Sequence, residues 1–314
     1  MSTSYQHIFG PVPSRRLGYS LGIDPVPFKT CSYDCIYCQL GVTTNKTCQR
    51  REFFPAENII SEIEKKLKEG GPVDYITLSG SGEPTLYSKI DTVINYIKDS
   101  SDKPVAVLTN GSLLWQPEVR EQLKRADLVV PSLDAPDSSL FRYINRPQTE
   151  LDFNTMIQGL IDFRKEFKNK IWLEIFLLGG VTALEAEAKK LAQLAKQIKP
   201  DKIQLNTVER PPAVEFAYPV PQEQMQDLAR YFPANTEIIT DFNKIHSASY
   251  FNNNKTEIMN LLSRRPCSIE DIQGALNMHQ NEVIKYTEEL KKAQKVIITE
   301  HNGKQYYYIK TKKK

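Results

Sequence analysis

The chain has 314 residues, a length that suits a barrel-sized domain plus a small second domain. Its 41 Lys and Arg against 38 Asp and Glu give a formal net charge of +3 at pH 7. No apolar run reaches the roughly 18 to 20 residues that a membrane helix needs, and residues 1–7 contain no basic region followed by an apolar segment, so we expect a cytoplasmic protein with no membrane partner. Five cysteines, three of them clustered, also exclude a disulfide framework.

Strand-like and helix-like segments alternate along the first three quarters of the chain. Paired prolines, glycines and two arginines in residues 9–18 predict a loop that leads into the first strand, 19–24. Further strands are predicted at 74–79, 105–109, 128–133, 171–178 and 203–208, and helices at 57–69, 89–98, 118–125, 153–167 and 184–198. Six strands alternating with helices indicate an α/β domain with a parallel sheet, which we assign to residues 1–245.

Three cysteines follow the first predicted strand with the spacing C-x3-C-x2-C: Cys31, Cys35 and Cys38. A structural zinc site normally has four protein ligands, whereas an iron-sulfur cluster can leave one iron open to another molecule. Positions i, i+4 and i+7 would also suit one buried face of a helix. Pro25 and Gly41 bracket the segment and favour a loop, so the spacing favours an iron-sulfur site.

The run from Lys29 to Cys38 resembles the cluster loop of the radical S-adenosylmethionine (SAM) superfamily. The resemblance implies that Cys31, Cys35 and Cys38 bind three irons of a 4Fe-4S cluster, whose fourth iron chelates SAM. It also implies reductive cleavage of SAM to a 5'-deoxyadenosyl radical that abstracts hydrogen from a substrate, with Tyr37 against the adenine. A partial (β/α)6 TIM-like barrel, open on one side, and an electron donor of the flavodoxin or ferredoxin type are further implications.

A glycine-rich segment, Gly80-Ser81-Gly82-Glu83, follows the second predicted strand. Glycines permit close approach of the backbone to a ligand, and a tight strand-to-helix turn explains the same residues equally well. The segment resembles the Gly-Gly-Glu-type motif of the superfamily, although its two glycines are not adjacent. The resemblance implies that Gly82 and Glu83 bind the amino group of SAM.

Polar residues also follow the third and fourth predicted strands. Asn110 comes after the third strand, and Ser132 and Asp134 come at the end of the fourth, where they share one face. Loops at the carboxyl ends of barrel strands converge on one mouth, and the resemblance implies that these residues contact the ribose and carboxylate of SAM. Turns and helix caps favour the same residue types.

Other polar residues lie near the predicted mouth without a defined role, and we assign no catalytic residue. Arginines in 142–147 and 206–212 would suit a phosphate or carboxylate of the substrate, or surface ion pairs. Glu174 interrupts an apolar strand and is expected to point into the barrel, because burial without a partner would be costly. Cys48 is either a thiol near the mouth or a packed side chain.

The resemblance covers roughly residues 8–212. Within the superfamily, the sequence resembles an uncharacterised subgroup that lies near the wyosine tRNA synthases. Those synthases carry a second cysteine trio ahead of the barrel. No cysteine precedes Cys31 in this sequence, so we expect no second cluster of that kind.

Residues 251–314 read as a separate domain. Helices are predicted at 256–263, 268–272 and 282–292, with Ser268 as an N-cap, and strands at 295–300 and 304–309 flank the hairpin signal Asn302-Gly303. Three helices followed by a hairpin resemble a winged helix-turn-helix. This segment has 12 Lys and Arg against 7 Asp and Glu, which suggests a polyanionic partner.

The resemblance to a winged helix makes 282–292 a recognition helix. Its basic residues and those of the tail would then meet phosphates: Lys285, Lys291, Lys292, Lys310, Lys312, Lys313 and Lys314. Acidic residues in the same helix make a protein-docking or dimerising wing an alternative. An RNA or a protein is therefore the expected substrate class.

Two functions remain. One is a radical SAM enzyme, and the other is an iron-sulfur redox-sensing regulator that binds DNA. The polar residues at successive strand ends favour the enzyme, since a sensor needs no SAM pocket.

Overall fold

The computed structural model describes residues 5–239, 255–276, 278 and 280–309. The predicted domain boundary at 245–251 lies outside these residues. The four lysines of the tail that were predicted to meet phosphates, at 310 and 312–314, also lie outside them.

The elements alternate along the chain. They begin with β1 (Ile8–Ser14), β2 (Gly18–Ile23), β3 (Thr30–Cys31), β4 (Asn45–Lys46), α1 (Ala56–Glu69), β5 (Tyr75–Leu78), α2 (Ile90–Ser100), β6 (Val105–Thr109), α3 (Pro117–Gln122) and β7 (Leu128–Pro131). They continue with α4 (Ser138–Ile144), α5 (Phe153–Glu166), β8 (Lys170–Leu177), α6 (Glu185–Ile198), β9 (Lys202–Thr207), α7 (Gln222–Ala229) and β10 (Thr236–Ile238). The last are α8 (Lys255–Leu262), α9 (Ile269–Leu276), α10 (Gln280–Lys292), β11 (Val296–His301) and β12 (Lys304–Ile309).

One eight-stranded sheet organises the larger part of the molecule, in the order β1-β2-β5-β6-β7-β8-β9-β10. Every neighbouring pair from β2 to β10 is parallel, and β1 alone runs antiparallel to its neighbour. The six predicted strands and the five predicted helices between them are confirmed, with bounds that differ by up to three residues. The α/β prediction is therefore confirmed, and the sheet stays open because β1 and β10 are its edges.

Strand β1 corrects the prediction of a loop before the first strand. It pairs with β2 from Ile8 opposite Ile23 to Ser14 opposite Gly18, with an irregularity between Phe9 and Val12. Prolines lower the expectation of a strand because they cannot donate to a ladder. An edge strand tolerates them, since one of its sides has no partner strand.

Strand β8 illustrates how the sheet separates its two faces. Ile171, Leu173 and Ile175 are buried in the main core, which also contains apolar residues of the surrounding helices. Glu174 and Phe176 alternate with them and take the opposite, inner face. The expectation that Glu174 points into the barrel is thereby confirmed.

Two arginines in the turn between β1 and β2 contact the far part of the open sheet. Arg16 forms an ion pair with Glu174 and donates from Nη1 to Gln204 Oε1 of β9 at 3.4 Å. Arg15 forms an ion pair with Glu209, which follows β9. Side chains therefore link strands that share no backbone hydrogen bonds.

The described residues from 255 to 309, which we call the C-terminal unit, have a core of their own. It combines apolar residues of α8, α9, α10 and the β11–β12 hairpin, and Val12 of β1 packs against it. The predicted Asn302-Gly303 turn is confirmed, with φ values of 50° and 71°. Ser268 caps α9 as predicted, because its Oγ accepts from the backbone nitrogen of Asp271 at 3.1 Å.

Polar contacts also join the C-terminal unit to the barrel. Arg264 Nη1 of this unit lies 2.5 Å from Asp24 Oδ2, directly after β2, and its guanidinium lies over the ring of Phe9 at 4.8 Å. The hydroxyl of Tyr306 donates to the carbonyl of Glu209 at 2.7 Å. The unit therefore packs against the barrel beside the end of β2, where the cysteine segment begins.

No helix among the residues that the structure describes combines the length and the apolar character needed to cross a membrane.

Candidate functional site

The three clustered cysteines lie in the segment that follows β2. Residues 32–41 contain bends and turns and no helical run, so the helical alternative for these cysteines is wrong. The end of α4 holds the loop, because the backbone nitrogens of Asp34 and Ile36 donate to the carbonyls of Asn145 and Ile144 at 2.9 Å each. The loop is thus anchored to the body of the barrel beside the cysteines.

Each cysteine sulfur accepts a hydrogen bond from one polar side chain. The contacts are Lys29 Nζ to Cys38 Sγ at 3.2 Å, Asn110 Nδ2 to Cys31 Sγ at 3.5 Å, and Asn145 Nδ2 to Cys35 Sγ at 3.5 Å. Lys29 is only 3 % exposed. Such donors stabilise negative charge on sulfur. Sequence analysis missed Lys29 and Asn145 as sulfur partners, although Lys29 lies just before the cysteine motif.

Burial dominates the electrostatics of Cys31 and Cys35. It raises the pKa of Cys31 to about 12, with the charge of Glu83 as the next cause, and it also raises the pKa of Cys35. These thiols therefore stay protonated near neutral pH unless a positive metal centre replaces the proton.

The cysteine segment offers three thiols as possible metal ligands. Within the described ranges 5–239, 255–276, 278 and 280–309, no three His, Cys, Asp or Glu side chains are grouped to hold one metal ion. In a 4Fe-4S cluster each cysteine binds a different iron, and three cysteines hold three of the four irons. The donor set of three thiols in one anchored loop fits such a cluster.

The glycine-rich segment after β5 packs directly on the cysteine loop. A Cβ atom at Gly82 would lie 2.1 Å from the carbonyl oxygen of Thr30, the residue before Cys31. The backbone nitrogen of Glu83 donates to the same carbonyl at 3.0 Å. Glycine is required at position 82 because the two backbones approach too closely for a side chain.

The carboxylate of Glu83 is buried and accepts four hydrogen bonds. Its Oε1 accepts from the backbone nitrogen and hydroxyl of Thr85, at 2.9 and 2.6 Å, and from the hydroxyl of Thr109 at 2.6 Å. Its Oε2 accepts from the backbone nitrogen of Asn110 at 2.7 Å. Burial raises the pKa of Glu83, and these hydrogen bonds oppose that rise. Glu83 therefore ties the glycine-rich segment to the end of β6.

A cavity of about 190 Å³, which we call the strand-end cavity, lies where β5, β6 and β7 end. Four of the predicted SAM-binding residues line it: Gly82, Glu83, Asn110 and Ser132. Cys31 and Glu174 line it as well. The fold thus brings residues from three separate strand ends to one cysteine.

Asp134 lies behind Tyr37 and does not line the strand-end cavity. Its Oδ2 accepts hydrogen bonds from the hydroxyl of Tyr37 and from Asn145 Nδ2, and its Oδ1 accepts from the backbone nitrogen of Phe176 at 3.2 Å. Burial raises the pKa of Asp134 to about 6. The Tyr37 ring stacks on Phe176 with centroids 4.0 Å apart, so Asp134 orients Tyr37.

A second cavity of about 440 Å³, the central cavity, extends from the cysteine loop to the C-terminal unit. Cys31, Cys38 and Tyr37 line one part of it, and Leu261 and Arg264 of the C-terminal unit line another. Cys31 borders both cavities. A molecule in either cavity would therefore lie beside the same cysteine.

The other polar residues that were predicted near the mouth differ in their burial and contacts. Arg142 and Tyr143 are exposed, whereas Asn145 from the same run is buried against Cys35. Cys48 packs against the main core, and burial, followed by its contact with Glu150, raises its pKa to about 12. This environment favours the packed alternative for Cys48 over a reactive thiol.

Comparisons with known proteins agree with this geometry. The sequence profile of the Radical SAM superfamily matches residues 26–232. The chain is 40% identical over 294 residues to GTPase Obg of Brachyspira hyodysenteriae, covering 93% of this chain and only 43% of that protein. It is 36% identical over 309 residues to a UPF0026 protein of Methanocaldococcus jannaschii, covering 95% of this chain and 94% of that protein.

A solved structure supports the same fold. A radical SAM methyltransferase from Sphaerobacter thermophilus superposes with a TM-score of 0.55 at 18% identity, over 70% of this chain and 66% of that one. Since the family profile spans most of the barrel and includes all three clustered cysteines, the chain belongs to the Radical SAM superfamily and is an enzyme that uses a 4Fe-4S cluster and SAM.

Proposed function

We propose that Cys31, Cys35 and Cys38 hold the 4Fe-4S cluster, with SAM in the strand-end cavity and the substrate in the central cavity. One observation carries this assignment: Cys31 borders both cavities. When bound, the cluster and SAM supply the 5'-deoxyadenosyl radical that abstracts hydrogen from the substrate. The protein contributes orientation and an environment partly closed to water.

Individual residues have separate roles in this proposal. The segment of Gly82 and Glu83 meets the amino group of SAM, and Asn110 and Ser132 meet its other polar groups. Their common position at the strand-end cavity supports these roles. Tyr37 lines the adjoining central cavity, and it faces the adenine where SAM extends past Cys31 into that cavity.

Asp134 acts in this proposal as a positioning residue. It accepts the Tyr37 hydroxyl and, through Asn145, is linked to Cys35. This arrangement gives Asp134 an effect on both the ring and the cluster loop without contact with SAM, which differs from the direct contact that the sequence suggested.

We further propose that residues 251–314 form a winged-helix domain separate from a barrel domain at 1–245. Support comes from the order of its elements and from Cys267, between α8 and α9, whose backbone pairs with Tyr307 of β12. Lys285, Lys291 and Lys292 are exposed on α10 and suit a polyanionic partner such as RNA. Residues 306–308 are three consecutive tyrosines, whose rings could stack on bases of a nucleic acid. Tyr306 and Tyr307 are buried, so this role would fall to Tyr308.

The remaining expectations concern partners and setting. We propose a flavodoxin or ferredoxin as the reductant and a reducing compartment such as the cytoplasm, which suits five free cysteines. We also propose that this chain belongs to a subgroup of the superfamily that lies near the wyosine tRNA synthases. Because the family consists of enzymes, we do not propose the redox-sensing regulator.

The proposal is tested by anaerobic reconstitution of the full chain with iron and sulfide, followed by dithionite and SAM. We expect 5'-deoxyadenosine and methionine on chromatography. A fully loaded cluster that yields neither product, with or without candidate substrates, would contradict the placement of SAM beside the cluster.

Replacement of Asn145 by leucine tests the role of the sulfur donors. The change removes the amide that donates to Cys35 Sγ and Asp134 Oδ2. Hydrogen bonds to cluster sulfurs raise the reduction potential because they stabilise the more negative reduced state. We expect a more negative midpoint potential in a redox titration followed by electron paramagnetic resonance.

The matched control is Asn154→Leu, at an exposed position of α5. The control should keep the wild-type potential. Equal potentials in both variants and the wild type would rule out a tuning role for Asn145.

A further inference from the structure

Asp24, the residue directly after β2, joins the glycine-rich segment to the C-terminal unit. Its side chain is 4 % exposed, and its Oδ2 accepts hydrogen bonds from the backbone nitrogen of Ser81 at 3.2 Å and from the Ser81 hydroxyl. The same oxygen lies 2.5 Å from Arg264 Nη1. One buried carboxylate oxygen therefore contacts both the segment after β5 and a cation of the C-terminal unit.

The glycine-rich segment packs closely on Asp24. A Cβ atom at Gly80 would lie 2.4 Å from Asp24 Cγ, and the φ of Gly80 is +136°, so only glycine fits there. The carbonyl of Ser81 accepts from the backbone nitrogen of Lys29, at the start of the cysteine segment, at 2.7 Å. A shift of the Asp24 side chain therefore disturbs the backbone that leads to the predicted SAM-binding residues.

Arg264 is positioned by both the C-terminal unit and the barrel. It lies in the turn that ends α8, where its backbone nitrogen donates to the carbonyl of Leu261 at 3.1 Å. Its guanidinium lies over the ring of Phe9 of β1 at 4.8 Å. Exposed ion pairs contribute little to stability, whereas a buried charge that loses its partner is strongly destabilised. Loss of Arg264 would leave the Asp24 carboxylate buried without this cation.

We propose that Arg264 is a positioning residue for SAM, because it holds, through Asp24, the glycine-rich segment that meets the amino group of SAM. Arg264 and residues 79–82 line the central cavity, and Gly82 also lines the strand-end cavity. The segment thus borders both cavities, and the C-terminal unit contacts its support from the central side. In this arrangement, tight binding of SAM requires the C-terminal unit to be docked on the barrel.

This inference rests on the proposed function, because it assumes that the segment of Gly82 and Glu83 meets SAM in the strand-end cavity. It adds a role in SAM binding for the C-terminal unit. Arg264 does not line the strand-end cavity, so its effect on SAM passes through Asp24 and Ser81.

The test compares Arg264→Gln and Arg264→Lys with the wild type, as full-length proteins reconstituted anaerobically to equal iron content. Calorimetric titration without reductant measures the dissociation constant of SAM, and hydrogen–deuterium exchange follows residues 79–83. We expect Arg264→Gln to bind SAM about tenfold more weakly and to exchange faster at Ser81, whose amide donates to Asp24. Arg264→Lys keeps a cation for Asp24 and should recover most of the SAM affinity.

The matched control is Arg125→Gln. Arg125 also forms an Arg–Asp pair, with Asp99 at 2.6 Å, but its side chain is 49 % exposed and it lies just before β7, at the end of the strands opposite the glycine-rich segment. This control should bind SAM and exchange like the wild type. In the double variant with Asp24→Asn and Arg264→Gln, the loss should not exceed the larger single loss, because the two residues act as a pair.

Wild-type SAM affinity or wild-type exchange at Ser81 in Arg264→Gln would overturn this coupling. An equal loss of affinity in Arg125→Gln would overturn it as well. Failure of the reconstituted wild type itself to bind SAM would contradict the proposed function instead, so the two claims are separated.

Discussion

Replacement of Cys35 by alanine is expected to abolish the 4Fe-4S absorbance after anaerobic reconstitution and, with it, the formation of 5'-deoxyadenosine. Cys35 lies in the anchored loop, where Asn145 donates to its sulfur. Between Cys31 and Cys38 no other residue carries a thiol that could replace it as a ligand. Loss of one of three cluster ligands leaves an iron without a protein ligand. Iron and sulfide content, absorbance and product chromatography measure the effect.

Cys48→Ala is the matched control for this experiment. Cys48 packs against the main core and lies outside the C-x3-C-x2-C motif, so the variant should load iron and cleave SAM like the wild type. An unchanged iron content in Cys35→Ala would contradict the assignment of the three ligands. Equal loss in both variants would point to a general defect in folding.

Replacement of Gly82 by alanine is expected to damage the site through backbone packing. The new Cβ would lie 2.1 Å from the carbonyl oxygen of Thr30, so the glycine-rich segment and the cysteine loop must separate. Overpacking of this kind costs about 1–3 kcal/mol of stability. We expect a lower Tm, together with weaker iron loading and at least a tenfold loss of SAM cleavage.

Gly274→Ala provides the control, because a Cβ there meets nothing within 4 Å. Gly274 lies within α9, where alanine is favoured over glycine by about 1 kcal/mol. This variant should therefore be as stable as the wild type or slightly more stable, with normal activity. Wild-type behaviour of Gly82→Ala would show that the two backbones have room to separate without loss.

The strands and the cysteine motif were readable from local patterns. The strand Val105–Thr109 was predicted with its observed bounds, because a short apolar run between two segments with helical periodicity is typical of a buried strand. Strand β1 was missed because Pro11 and Pro13 argue against a strand until the edge position of that strand is known.

Among the residues of the candidate site, some positions likewise followed from local patterns and others depended on tertiary packing. Gly82, Glu83, Asn110 and Ser132 line one cavity because each follows a predicted strand, and parallel strands bring their carboxyl ends together. Their contact with SAM stays a prediction. Asp134 was placed on the same face as Ser132, yet it lies behind Tyr37. Strand alternation gives the face of a side chain but not its distance from a cavity.

The sequence by itself determined the α/β alternation, the cysteine loop and the strand ends that surround it, because these depend on periodicity and short spacings. Tertiary structure alone decided the partners of the cysteines, such as Lys29 and Asn145, and the pairing of Arg16 with Glu174. It also decided that the C-terminal unit lines the central cavity. Such contacts join residues far apart in the chain, and they depend on packing geometry that no local pattern records.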